Sequence, residues 1–325
     1  MVLNPQSESQ CIGAWLAPLL PNEPRIANPA LQATLTERYL QPVLPELEAL
    51  LLAVRLQIDP ELQRRQPAKL GKPYPLGQCL EISKEVQARL RTVKEAELPA
   101  GAIAGLRALD AFQRAGGDFR QVWGDLRGQF FQNAFQVGTL YVDVANDTVT
   151  PSKPKVEILP FDHAQFVPIR DFAHFSHLAN KYWGDEVFPN HVFPKLAPHC
   201  PLIHINKSGR IKLHAATKYM LSMTRSQGFT PSEAVLRAQP MPQDLFERVR
   251  QAMQEAGYPL PATPEQGRQQ ALQQCREQRT KRWHKEPKRM ASVILEVQQL
   301  NIRLVRWQRA NGALQNPLPA TVQTQ

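Results

Sequence analysis

Gly138-Thr139-Leu140-Tyr141-Val142-Asp143-Val144-Ala145-Asn146-Asp147-Thr148 is where the chain changes its period. Val137, Leu140, Val142 and Val144 nearly alternate with Thr139, Tyr141 and Asp143, as a strand requires, and Asn146-Asp147-Thr148 supplies the turn that ends it. Two more strands are expected over 155–161 and 164–169. The run Leu202-Ile-His-Ile-Asn-Lys-Ser-Gly-Arg-Ile-Lys-Leu-His214 reads as two alternating strands about a turn at 206–209.

Upstream of this stretch the apolar spacing is helical. Asn28-Pro29 offers a cap with Pro at the first helical position, and Pro42 and Pro45 divide 28–55 into one broken helix or two short ones. The proline-rich segment 57–75 reads as a loop. Ile82, Val86, Leu90 and Val93 define a helix from Leu80, a second is expected over 100–114, and Phe119, Val122, Trp123, Leu126 and Phe130 predict a third over 119–135 with Asp118 as its N-cap. Beyond the strands, helices are expected at 244–256, 264–286 and 288–310. Helices followed by antiparallel strands give an α+β class. The expected organisation is an N-terminal helical region over 1–66, a mixed core over 67–225 and a basic helical region over 226–325.

The 325 residues are 42% apolar, enough for one substantial core and a smaller helical unit. Residues 1–10 lack the basic start and apolar run of a secretory signal, and no stretch is long and apolar enough to span a bilayer, so a cytoplasmic protein is expected. Cysteines at 11, 79, 200 and 275 form no CxxC pair and read as free thiols in a reducing compartment. Ordinary packing accounts for Cys11 and Cys275.

Cys79 differs from them. It closes Tyr74-Pro-Leu-Gly-Gln-Cys79, a loop that runs directly into a helix, and the unpaired N–H groups of a helix start favour thiolate, the reactive form of sulfur. A nucleophilic thiol needs a base, and Asp162-His163-Ala164 opens a strand candidate with Asp171 a few residues on. Plain packing of a small residue at the helix start is the competing account.

The words Gly77-Gln78-Cys79 and His163-Ala164, in that order, resemble the nucleophile and histidine segments of transglutaminase-like enzymes of the papain-type fold. Leu80 stands where that family commonly has Trp. The resemblance implies acyl transfer or hydrolysis of an amide or peptide substrate without an organic cofactor. Cys79 would attack, His163 would carry the proton, Asp171 would orient His163, and Gln78 with the Cys79 N–H would hold the oxyanion. Asp143 rivals Asp171 for the orienting role.

Asp143, Trp183 and His191 are candidates for lining a polar substrate site, although Asn, Asp and Gly at these places also serve turns. Seven of the eight histidines lie between 163 and 214. His174 and His177, with Asp171 or Asp185, have helical spacing for a shared ion, and His199-Cys200 with His204 is a second set. Neither matches a specific zinc word, so no metal is assigned.

The net charge is +10. The run from 276 to 289 concentrates Arg276, Arg279, Lys281, Arg282, Lys285, Lys288 and Arg289 around Trp283 and His284, with only Glu277 and Glu286 opposing. A solvated helix face would explain such a run. The other reading is a non-enzymatic protein whose Arg279, Arg282, Trp283 and Lys285 engage nucleic acid or another acidic partner.

Overall fold

The computed structural model describes residues 18–213, 218–254 and 259–311, so that Cys11 and His214 lie outside the described residues. The chain has the α+β architecture expected and divides into two compact units, 1–168 and 169–325. This places a boundary inside the segment expected to be one core, and it joins the N-terminal helices to the first unit.

In the first unit, α1 (Pro29–Tyr39), α2 (Leu44–Arg65), α3 (Cys79–Leu90) and α4 (Ala100–Arg114) precede a five-stranded antiparallel sheet. Its strands are β3 (Phe119–Leu126), β4 (Phe130–Val137), β5 (Leu140–Asp143), β6 (Glu157–Pro160) and β7 (Phe166–Val167), in the order β6-β5-β4-β3-β7. A two-residue pair, β1 (Ala68–Lys69) and β2 (Lys72–Pro73), precedes α3. Leu47, Leu50, Leu51, Val54 and Ile58 of α2 share one core with Ile82 and Val86, with Leu106, Leu109 and Phe112, and with Phe135, Val137, Leu140 and Val142 of the sheet. Each such side chain contributes about 1.5–3 kcal/mol on burial. The opposite sheet face buries Val122, Ala134, Tyr141 and Phe166.

The structure departs from the sequence expectation in two segments. Residues 119–135 are not a helix but β3 and β4, paired in full register from Phe119↔Val137 to Leu126↔Phe130. The hairpin turns at Arg127 and Gly128, both with positive φ (59° and 63°), a conformation that suits the twist of the strands. Asp118 therefore caps nothing; its N–H donates to Gln32 Oε1 at 2.9 Å. Segment 57–75 is not all loop either, because α2 continues through Pro60 to Arg65. Tertiary burial of Ile58 and Leu62 holds that end of the helix despite the missing N–H.

The second unit carries the three-stranded antiparallel sheet β10-β9-β8, with β8 (Glu186–Pro189), β9 (Leu202–Ile205) and β10 (Ile211–Leu213). The hairpin read from the sequence is thus present, Ile211 facing Ile205. Around it lie α5 (Phe172–Trp183), α6 (Lys218–Arg225), α7 (Thr230–Leu236), α8 (Gln243–Gln254), α9 (Pro264–Thr280) and α10 (Pro287–Asn311). Leu245, Phe246 and Val249 of α8 and Val293, Val297, Leu300 and Leu304 of α10 form its core with Ile203, Ile205, Ile211 and Leu213. The side-chain amide of Asn301 on α10 completes the edge of β10: Oδ1 accepts from the Leu213 N–H and Nδ2 donates to the Leu213 carbonyl, each at 2.8 Å. Among the described residues no helix is long and apolar enough to cross a membrane.

Candidate functional site

Cys79 is the first residue of α3, as its sequence context implies, and the chain folds there because Gly77 takes a positive φ of 71° and its N–H donates to the Thr148 carbonyl at 2.9 Å. The groups acting on the sulfur come from β4, β5 and β1. Asn133 Nδ2 donates to Sγ at 3.5 Å, and Ser83 Oγ on α3 holds the Asn133 carbonyl at 3.2 Å. Burial pushes the thiol above its usual value; the Asn133 hydrogen bonds and the charge of Lys69 pull the other way, while Asp143 adds to the rise.

Of the residues expected to assist Cys79, Asp143 acts on the sulfur, while Gln78 and His163 are engaged elsewhere in the first unit. Gln78 is buried and its amide donates to the Gln66 carbonyl at 3.1 Å. His163 is exposed, its imidazole 4.0 Å from Asp162. Val137 of β4 shares a row with Leu140 and Pro160, and the His163 N–H donates back to the Pro160 carbonyl. Asn133 is four residues away along β4, about 13 Å, before the two-strand step to β6 is added. Asp171 belongs to the second unit, where it caps α5 by accepting from the His174 N–H at 2.7 Å.

Asp143 is fully buried and accepts from Gln132 Nε2 at 2.6 Å, the Tyr141 hydroxyl at 3.0 Å and the Ala145 N–H at 2.8 Å. Burial lifts its carboxyl to about 6 against these three donors. Its neighbours are protein groups that fasten the end of β5.

In the second unit, His191 is buried with Nε2 2.9 Å from the Leu236 carbonyl, which ties the end of the β8 strand to α7. Trp183 is 37% exposed, with Lys212 Nζ 5.6 Å from its ring. Asp185 binds His204 Nδ1 at 3.1 Å and Lys212 at 3.3 Å. His174 Nδ1 accepts from the Arg170 N–H at 3.3 Å. Among the described residues no three His, Cys, Asp or Glu side chains converge as a metal site would require.

The basic run separates into two kinds of residue. Arg279 is structural in its contacts, donating to the Gly228 carbonyl at 2.6 Å and pairing with Glu233. Arg276, Lys281, Arg282, Lys285 and Lys288 are exposed. Trp283 is half-buried between Lys281 Nζ, 4.9 Å from its ring, and Arg289 Cζ, at 4.3 Å, so the aromatic ring positions two cations. The division into units also sharpens the charge asymmetry: residues 169–325 hold 22 Lys/Arg against 11 Asp/Glu, while 1–168 hold 17 against 18. The entire surplus lies in the second unit.

Comparison with protein-family models, with curated proteins and with solved structures gives no match to this chain.

Proposed function

We propose that the second unit binds nucleic acid through its phosphate backbone, without reading sequence. The observation that carries this is the charge partition: one compact unit has twice as many cations as anions, and the other has no excess of cations. Arg276, Lys281, Arg282, Lys285 and Lys288 supply exposed charge on one short stretch, and Trp283 holds Lys281 in place. Acyl transfer through Cys79 is the rival reading. It needs a base within reach of the sulfur, and the groups acting on that sulfur are Asn133, Lys69 and Asp143.

The test is fluorescence anisotropy of a labelled oligonucleotide across a salt series, with polyglutamate as a second polyanion. Affinity should fall steeply with salt, and Arg282→Glu combined with Lys285→Glu should weaken it roughly tenfold or more while flattening the salt slope. Absence of binding at low salt, or equal binding by the charge-reversed protein, would sink the proposal. Preference for polyglutamate would transfer it to an acidic protein partner.

A further inference from the structure

Among the described residues, a partly buried group of basic side chains in the second unit has no anion to answer it. His199 is 1% exposed, and neither ring nitrogen has a hydrogen-bond partner. His284 Nδ1 and Arg289 Nε are buried and unpaired as well. The charges that act on His199 are Arg289, Arg225 and His284, and those that act on His284 are Lys285, Arg282, Arg225 and Arg279. Every one is basic. Glu286, the adjacent acid in sequence, is exposed, and Glu233 is taken by Arg279.

Geometry binds these residues into one place. The Phe229 ring makes T-shaped contacts with both imidazoles, 4.7 Å from His199 and 5.7 Å from His284 between centroids. Arg225 Nε donates to the His284 carbonyl at 2.6 Å, and its Nη1 lies 3.4 Å from Met290 Sδ. Arg289 sits in the first turn of α10, a turn that holds no acidic residue. Phe229 itself belongs to three consecutive residues in the left-handed region, Gln227, Gly228 and Phe229, with φ of 48°, 65° and 70°. Two of the three carry a side chain, and strain of this kind persists where the surroundings enforce it, often at a binding site.

Donors buried without acceptors are costly, and like charges brought together add to that cost. An oxyanion relieves both penalties, since guanidinium groups meet its oxygens in parallel pairs and an imidazole N–H supplies a further donor. His284 and Arg289 are only half-buried, so they form the solvent side and His199 the floor. We propose that His199, Arg225, His284 and Arg289 form a binding site for one oxyanion of the phosphate class. Its four residues are not those of the exposed face proposed above, although Trp283 contacts both Lys281 of that face and Arg289 of the site. Its occupant is either free phosphate or the terminal phosphate of a larger molecule.

The probe is inorganic phosphate, titrated into the full chain while the His199 ring resonances are followed by NMR and heat by calorimetry. One phosphate should bind saturably and move the His199 signals, and Arg289→Met and Arg225→Met, which keep the apolar stem, should each weaken uptake roughly tenfold or more. No saturation up to roughly 10 mM phosphate, or uptake unchanged in both variants, would overturn the site. Should either variant unfold, the wild-type His199 signals decide alone: silence during the titration overturns it. Oligonucleotides with and without a 5′-phosphate separate the sources. A preference for the phosphorylated end assigns the terminal group, and equal binding with phosphate uptake intact assigns the free ion. Arg276→Glu with Lys281→Glu reverses two exposed charges that are not among those acting on His199 or His284, so this variant should weaken nucleic-acid binding and still take up phosphate, and loss of nucleic-acid binding alone leaves this site standing.

Discussion

Arg55 grips Asp147 with both ends of its guanidinium, Nη1 donating to Oδ1 at 2.9 Å and Nη2 to Oδ2 at 3.1 Å. Its Nε donates to Asp59 at 2.6 Å, and Nη1 also meets the Val144 carbonyl at 2.7 Å. Lys155 Nζ bridges Asp59 and Asp147 at 2.8 and 3.3 Å, so two cations meet two carboxylates. The Arg55 side chain is wholly buried, and the pair joins α2 to the turn after β5. Arg55→Met removes one charge and strands its partners, which should cost about 3–5 kcal/mol. Urea unfolding measures it; a loss below about 1 kcal/mol would mean that Lys155 suffices to neutralise both acids.

Asp143 makes stability depend on pH in the direction opposite to a paired surface acid. Its folded value, about 6, lies above the ordinary carboxyl range because of burial, so the native state keeps a proton that the unfolded chain has already released. Its contribution therefore diminishes as pH rises from about 4 to about 6, by roughly 3 kcal/mol in all. The carboxyl carbon of Asp143, followed by NMR, should titrate with a midpoint near 6. A midpoint in the ordinary range removes the effect.

Cys79 should alkylate slowly. Burial raises its thiol despite the helix start, and burial pushes Cys200 and Cys275 up to about 12. Iodoacetamide at neutral pH should label none of the three faster than a free thiol, with full labelling on unfolding. Selective fast modification of Cys79 would restore the acyl-transfer reading over the binding one.

Gly105 on α4 lets that helix approach α2 closely: a methyl group there would overlap the Glu46 carbonyl and crowd the Leu47 backbone. Because the obstruction is main chain, it cannot swing aside. Gly105→Ala should destabilise by about 1–3 kcal/mol despite the better helix propensity of Ala. A rise in thermal midpoint would show that α2 and α4 can separate freely.

What the sequence made legible follows from local signals. Helices at 79–90 and 100–114 carry a single apolar stripe, and Leu202–Ile205 with Ile211–Leu213 alternate cleanly around an Asn-to-Gly turn. β3 and β4 did not reveal themselves because both faces are covered: nearly every residue from Val122 to Val137 is buried outside the turn, which erases alternation, while Phe119, Val122, Trp123 and Leu126 mimic a helical stripe. Their turn uses Arg-Gly in place of the more telling Asn-Gly. At Cys79 the helix start was visible but Asn133, 54 positions away, was not. His199 stood out beside Cys200, and His284 with Arg289 in the basic run, but no local signal joined them to one another or to Arg225.

The Asn301 amide protects the β10 edge from other chains. A sheet edge ordinarily offers its main-chain groups to any passing strand, the first step toward strand exchange and fibrous association. At Leu213 both outward groups are already satisfied by one side chain that imitates a neighbouring strand and then goes no further. Growth of the sheet from that residue is blocked at the price of a single amide, and loss of it would turn a finished border into an adhesive one.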